Sequence, residues 1–142
     1  MSRTHVPRRL RERVAAQAGH RCGYCRTSKV ITGSPLVIDH LTPEILGGPT
    51  VEWNLWMACS YCNLFKGERI TARDPLTEET VPLFNPRLQR WSEHFQWTED
   101  GARILGLTPI GRATVESLQL NRPLLVEARR LWILADWHPP VE

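Results

Sequence analysis

Residues 59–67 read Cys59-Ser60-Tyr61-Cys62-Asn63-Leu64-Phe65-Lys66-Gly67, "CSYCNLFKG". Two cysteines three positions apart open the segment, and the Lys-Gly pair offers a helix end with its stop. A helix starting from a Cys-x-x-Cys turn presents both sulfurs on one side. Just upstream, "NLWMAC" (54–59) alternates Leu55, Met57 and Cys59 against Trp56 and Ala58, the period of a strand. Further back, "LGGPT" (46–50) carries strong turn formers, and "LVIDHLTP" (36–43) is an apolar run that ends on Asp39-His40 before Pro43. The order is strand, long loop, strand, short helix. Val37 and Ile38 are expected to anchor the first strand in a small core, leaving the polar pair at its exit.

A second pair, Cys22 and Cys25 in "RCGYC", lies upstream, with its first member 37 positions before Cys59. Two such knuckles supply four thiolates from two sides, the tetrahedral soft-ligand set that zinc favours. A redox Cys-x-x-Cys needs one pair and a βαβ setting, and neither condition is met. Cys22, Cys25, Cys59 and Cys62 are therefore read as a structural zinc site. Four thiolates leave the ion no open position, so it should staple the fold rather than activate water.

The chain has 142 residues and a net charge of +3. That length can bury a real core without disulfides. Arg3, Arg8, Arg9, Arg11 and Arg13 crowd the start against Glu12 alone, a patch that suits a polyanion or a solvated helix face equally. "MSRTHVPRRL" lacks the apolar core of a secretory signal, and no stretch nears the ~20 apolar residues of a membrane span. Paired cysteines then point to a reducing cytoplasm.

Leu10, Val14 and Ala18 repeat at helical spacing before Gly19, which predicts a helix over 8–18. Residues 26–34 have loop composition. From residue 71 the character changes, which suggests a finger with its N-terminal helix over 1–70 and an extension over 71–142 packed on it. "TARDPLTEETVPLFNPR" (71–87) is rich in turn signals. Strands near 93–98 and 102–107 flank Glu99-Asp100-Gly101 as a hairpin. Thr108-Pro109 and Arg122-Pro123 open two helices, the second with Leu124, Ala128, Leu131 and Ala135 on one stripe. Arg112, Arg122, Arg129 and Arg130 on these helices could lie against a duplex backbone. The join "LQLNRPLL" lacks the glycine usual in a helix-turn-helix, and packing is the plainer reading.

Knuckles, Asp-His, Gly-Gly, Asn-Leu and Cys-Asn-x-x-Lys-Gly occur in an order that resembles the HNH endonuclease family, over roughly residues 20–68. The resemblance implies a ββα-metal finger. It also implies His40 as general base, Asp39 and Asn63 as ligands of one catalytic divalent ion, and Asn54 as the residue that pins the loop and orients His40. Lys66 is implied as a phosphate contact. Mg²⁺ or Mn²⁺ suits such oxygen donors. On an ideal strand Asp39 and His40 face opposite ways, so an early strand end at Pro43 is expected. "LFNPR…HF" looks like an extension found beside some such fingers, which makes Arg87 and His94 candidates for substrate contact; a packed aromatic core is the bland alternative. His5, His20 and His138 receive no role.

The expectation is an α+β protein: a zinc-stapled finger, an N-terminal helix, and a C-terminal hairpin plus two helices. It would cut DNA with little sequence preference, leaving a 5′-phosphate, and would have no membrane partner. The competing expectation is a zinc-knuckle module that binds nucleic acid without catalysis. Oligomeric state is left open.

Overall fold

In the computed structural model, residues 5–141 are described. Arg3 of the basic patch lies outside them. The protein is α+β, with short helices and two-stranded antiparallel sheets. The chain resolves into two compact units, Met1–Ile70 and Thr71–Glu142. No helix among the described residues is long and apolar enough to cross a membrane.

In the first unit, helix α1 (Arg8–Gln17) buries Val14 and, just past its end, Ala18, with Leu10 half-buried, as the spacing predicts. Residues 26–34 are not all loop. Ser28 accepts from the amide of Val30 and caps a single turn, α2 (Lys29–Thr32), which Gly33 closes at φ 69°. Strand β1 (Val37–His40) pairs antiparallel with β2 (Leu55–Ala58), and Asp39 stands opposite Trp56. The first strand thus ends at His40.

Cys59 then caps α3 (Ser60–Lys66), its sulfur accepting from the amide of Cys62, and Gly67 ends the helix. Helix α1 packs on β2, and α3 on β1. The core is small: Val6, Val14, Ala18, Tyr24, Leu36, Leu55, Met57, Ala58 and three of the thiols.

One expectation is corrected here. Val37 and Ile38 are only half-buried and Asp39 is buried. Burial along the strand does not alternate: Leu36, just before it, supplies the apolar anchor, and the one buried position within it belongs to Asp39.

The second unit holds two hairpins and two longer helices. Strands β3 (Thr71–Arg73) and β4 (Thr80–Pro82) pair across a turn that Asp74 organises, accepting from Leu76 N and Thr77 Oγ1. The turn-rich composition of this stretch hides its hairpin from a reading by periodicity. A single turn, α4 (Trp91–His94), leads into β5 (Phe95–Trp97), which pairs with β6 (Ile104–Gly106). Helix α5 (Pro109–Ser117) starts from Thr108, whose hydroxyl accepts from Gly111 N, and packs on β6.

The aromatic rings of Phe84, Trp91, Phe95 and Trp97 pack tilted or edge-on at 5.0–5.2 Å between centroids. In α6 (Pro123–Leu134) the buried residues are Val126 and Arg129, not the expected leucine stripe, since Leu124 and Leu131 are exposed. Arg129 donates to the carbonyls of Leu120 and Ala102 at 2.8 and 3.2 Å and lies against the Trp97 ring, which removes it from any duplex-facing set.

Candidate functional site

The thiols of Cys22, Cys25, Cys59 and Cys62 lie within 4.8 Å of one another, and none is in a disulfide. The sulfurs of Cys25 and Cys59 are 3.7 Å apart. A regular tetrahedron with ~2.3 Å zinc–sulfur bonds has edges of about 3.8 Å. The donor set therefore fits zinc. Burial pushes the Cys22 thiol well up, so a lone thiolate there is costly and a divalent cation offsets the cost. The backbone builds the cage: Gly23 N donates to Met57 O at 2.9 Å, tying the first knuckle to β2, and Arg26 turns the chain at φ 65°.

In the same unit, Asp39 points inward. Lys66 Nζ donates to its Oδ1 at 2.8 Å, and the Tyr24 hydroxyl donates to its Oδ2. Burial first, and then the charge of Asp39, push the Tyr24 hydroxyl well above its ordinary range, which keeps it a donor. The remaining protons of Lys66 go to the carbonyls of His40 at 3.0 Å and Leu41 at 3.4 Å.

An ammonium has three protons to give, so Lys66 is spent inside the fold. Its side chain is 3% exposed. This departs from the expected phosphate contact. A lysine in a last turn normally reaches solvent, but here it compensates a buried carboxylate.

His40 faces the other way. Its Nε2 is 2.9 Å from Thr50 Oγ1, whose hydroxyl donates to Glu44 Oε1 at 3.3 Å. The loop that brings Thr50 to His40 is pinned by Asn54. The Asn54 amide accepts from Thr42 N at 2.9 Å and donates to the carbonyls of Thr42 and Pro49 at 3.0 and 2.9 Å. Its backbone carbonyl accepts from Leu41 N at 2.8 Å. Gly48 is required at this crossing, because a Cβ there would sit 1.7 Å from Thr42 O. Asn54 is buried, and its side-chain bonds all go to backbone groups.

A cleft of about 720 Å³ opens at the exit of β1, and Asp39, His40 and Asn63 all line it. The three residues that the sequence proposed for one centre thus line one cleft. The Asn63 side-chain amide makes no hydrogen bond among the described residues. Asp39 accepts two bonds and keeps two of its roughly four lone-pair positions.

Sequence reasoning missed Glu44, Thr50, Tyr24, Arg11 and His5. Of these, Glu44, Arg11 and His5 line the cleft. Only Glu44 is foreshadowed by position, four residues past His40 and directly after Pro43. The others reach the site through long-range folding.

Arg87 and His94 belong to the second unit. His94 Nδ1 is 2.7 Å from Thr108 Oγ1, and its ring meets Phe84 edge-on at 5.7 Å. Arg87 N donates to Asn85 Oδ1 in the turn before α4.

No curated protein and no solved structure matches the chain. The family model described as HNH endonuclease matches residues 22–69, about a third of the chain, from the first knuckle to just past α3. That span, which is similar to the HNH endonuclease family, holds all four clustered cysteines together with Asp39, His40, Asn54, Asn63 and Lys66.

Proposed function

We propose that the protein is a metal-dependent endonuclease that hydrolyses DNA phosphodiester bonds with little sequence preference. The observation that carries this reading is the shared cleft of Asp39, His40 and Asn63 within the segment that matches the family. Hydrolysis adds water to phosphorus and breaks the bond to one ester oxygen, so the site must take a proton from the water and balance charge on the leaving oxygen.

His40 takes that proton. With the Thr50 proton directed to Glu44, the Thr50 oxygen accepts from His40 Nε2–H, which leaves the basic lone pair on Nδ1. The free lone pairs of Asp39 and the amide oxygen of Asn63 would hold a hard divalent ion such as Mg²⁺ or Mn²⁺. When bound there, the ion supplies positive charge for the leaving oxygen. Tyr24 and Lys66 hold the Asp39 carboxylate in place through their two hydrogen bonds, and Asn54 keeps the His40 loop in place. The product is a 5′-phosphate end. Four free thiols suit a reducing cytoplasm.

The test is relaxation of a supercoiled plasmid by zinc-loaded protein, with and without Mg²⁺, alongside Asn63→Ala. Wild type should cut only with Mg²⁺, and Asn63→Ala should need at least ~10-fold more Mg²⁺ or fail. Salt-sensitive binding with no cutting under any divalent ion would instead establish a binding module.

A further inference from the structure

We infer that the Arg11 guanidinium of α1 grips the phosphate of the nucleic acid in the cleft, the role that the resemblance gave to Lys66. Lys66 has no proton left for a substrate, as its bonds to Asp39, His40 and Leu41 show. The cleft wall carries three carboxylates, Asp39, Glu44 and Glu68. A phosphodiester entering it meets like charge and needs a fixed cation. Among the described residues, Arg11 is the one lysine or arginine on that wall.

Arg11 is also uncommitted. On the same helix, Arg8 pairs with Glu12 at 2.8 Å, and Arg13 pairs with Glu52 at 2.7 Å. The Arg11 side chain makes no ion pair or hydrogen bond among the described residues, and the residue is exposed. Its own helix is fixed by burial of Val14 and Ala18, so the guanidinium is carried by a packed element. A planar fork of donors at such a place matches two phosphate oxygens at once. The helix upstream of the family match thereby belongs to the site: it supplies an anion clamp to a wall otherwise rich in acids.

The inference rests on the nuclease reading for its meaning, but its test does not need cleavage. Fluorescence anisotropy of a labelled ~20-base-pair duplex, in buffer free of added divalent ions and across a salt series, compares wild type, Arg11→Gln and Arg11→Lys. Circular dichroism confirms that each variant is folded. Arg11→Gln should bind roughly 10-fold more weakly near 0.1 M salt, with the slope of log K against log salt smaller by about 1. Arg11→Lys should keep the slope and lose part of the affinity. An Arg11→Gln protein with wild-type affinity and slope overturns the inference, as does a wild type that does not bind the duplex. If wild type binds as expected yet never cuts with Mg²⁺, the nuclease reading fails while the Arg11 clamp stands.

Discussion

The two units solve the problem of a small core in opposite ways. The first places three thiols, a tyrosine and an ion-paired aspartate among its few buried aliphatic side chains. The second packs Phe84, Trp91, Phe95 and Trp97 against one another and closes its first hairpin with a bidentate pair, Arg112 to Asp74 at 3.0 and 2.9 Å. A unit of about seventy residues with four-residue strands has little apolar surface with which to fix a polar cleft. A cation clamped by the four sulfurs would remove that limit, in the unit whose first strand ends at His40. The lesson is that the cleft of Asp39, His40 and Asn63 sits in the unit with few buried aliphatic side chains and a thiol cluster that fits a structural ion.

The contrast is broken most severely at the thiols. Cys22→Ser should lose zinc, measured by atomic absorption, and unfold the first unit, since structural zinc contributes on the order of 10 kcal/mol. The near-ultraviolet circular dichroism of the tryptophan-rich second unit should persist. Full zinc occupancy in the variant would show that Cys22 is not a ligand.

Next comes the buried pair. Lys66→Met leaves the Asp39 charge uncompensated and should cost about 3–5 kcal/mol in urea unfolding. The double variant Lys66→Met with Asp39→Leu should recover most of that loss. A cost under about 1 kcal/mol would place Lys66 in solvent, as an ordinary surface lysine.

Gly48→Ala should then cost about 1–3 kcal/mol, because its methyl group meets the Thr42 carbonyl at the crossing that Asn54 pins. Urea denaturation reads the loss, and an unchanged midpoint would mean that the loop is not so tightly crossed.

The smallest effect belongs to the second unit. The Arg112 guanidinium holds the Asp74 carboxyl well below the usual carboxylate range. A depressed folded value gives stability that is present above the unfolded value near ~4 and is lost as pH falls through the folded one. Thermal melting of the second unit should therefore fall below pH ~4, and Arg112→Leu should flatten that fall. A fall of equal steepness in the variant would assign it to other carboxylates.

Much of the finger was legible because its signals are local. Two Cys-x-x-Cys turns, the Gly48 crossing, the Asn54 strand entry and the Lys66-Gly67 stop each act within a few residues, and the ββα order follows from them. What was not legible depends on partners far along the chain. Lys66 reads as a last-turn surface lysine until Asp39, 27 positions upstream, is folded against it. Arg129 reads as one of four helix arginines, free to face a duplex or to pack, until the carbonyls of Ala102 and Leu120 take its protons. Leu124 and Leu131 read as a core stripe, yet the buried face of α6 is set by Val126 and Arg129. Arg11 reads as one charge in a patch until α1 carries it to the cleft. In each case side-chain type was known and its destination was not, because burial of a charge is decided by tertiary partners and not by periodicity.

The division between the stapling ion and the working base is tested most directly by the single-turnover cleavage rate of His40→Ala against wild type, both at full zinc occupancy with saturating Mg²⁺. A base positioned at the cleft predicts a loss of about 10²–10⁴-fold with an unchanged melting temperature. Equal rates in the two proteins would remove His40 from the chemistry and the proposed mechanism with it.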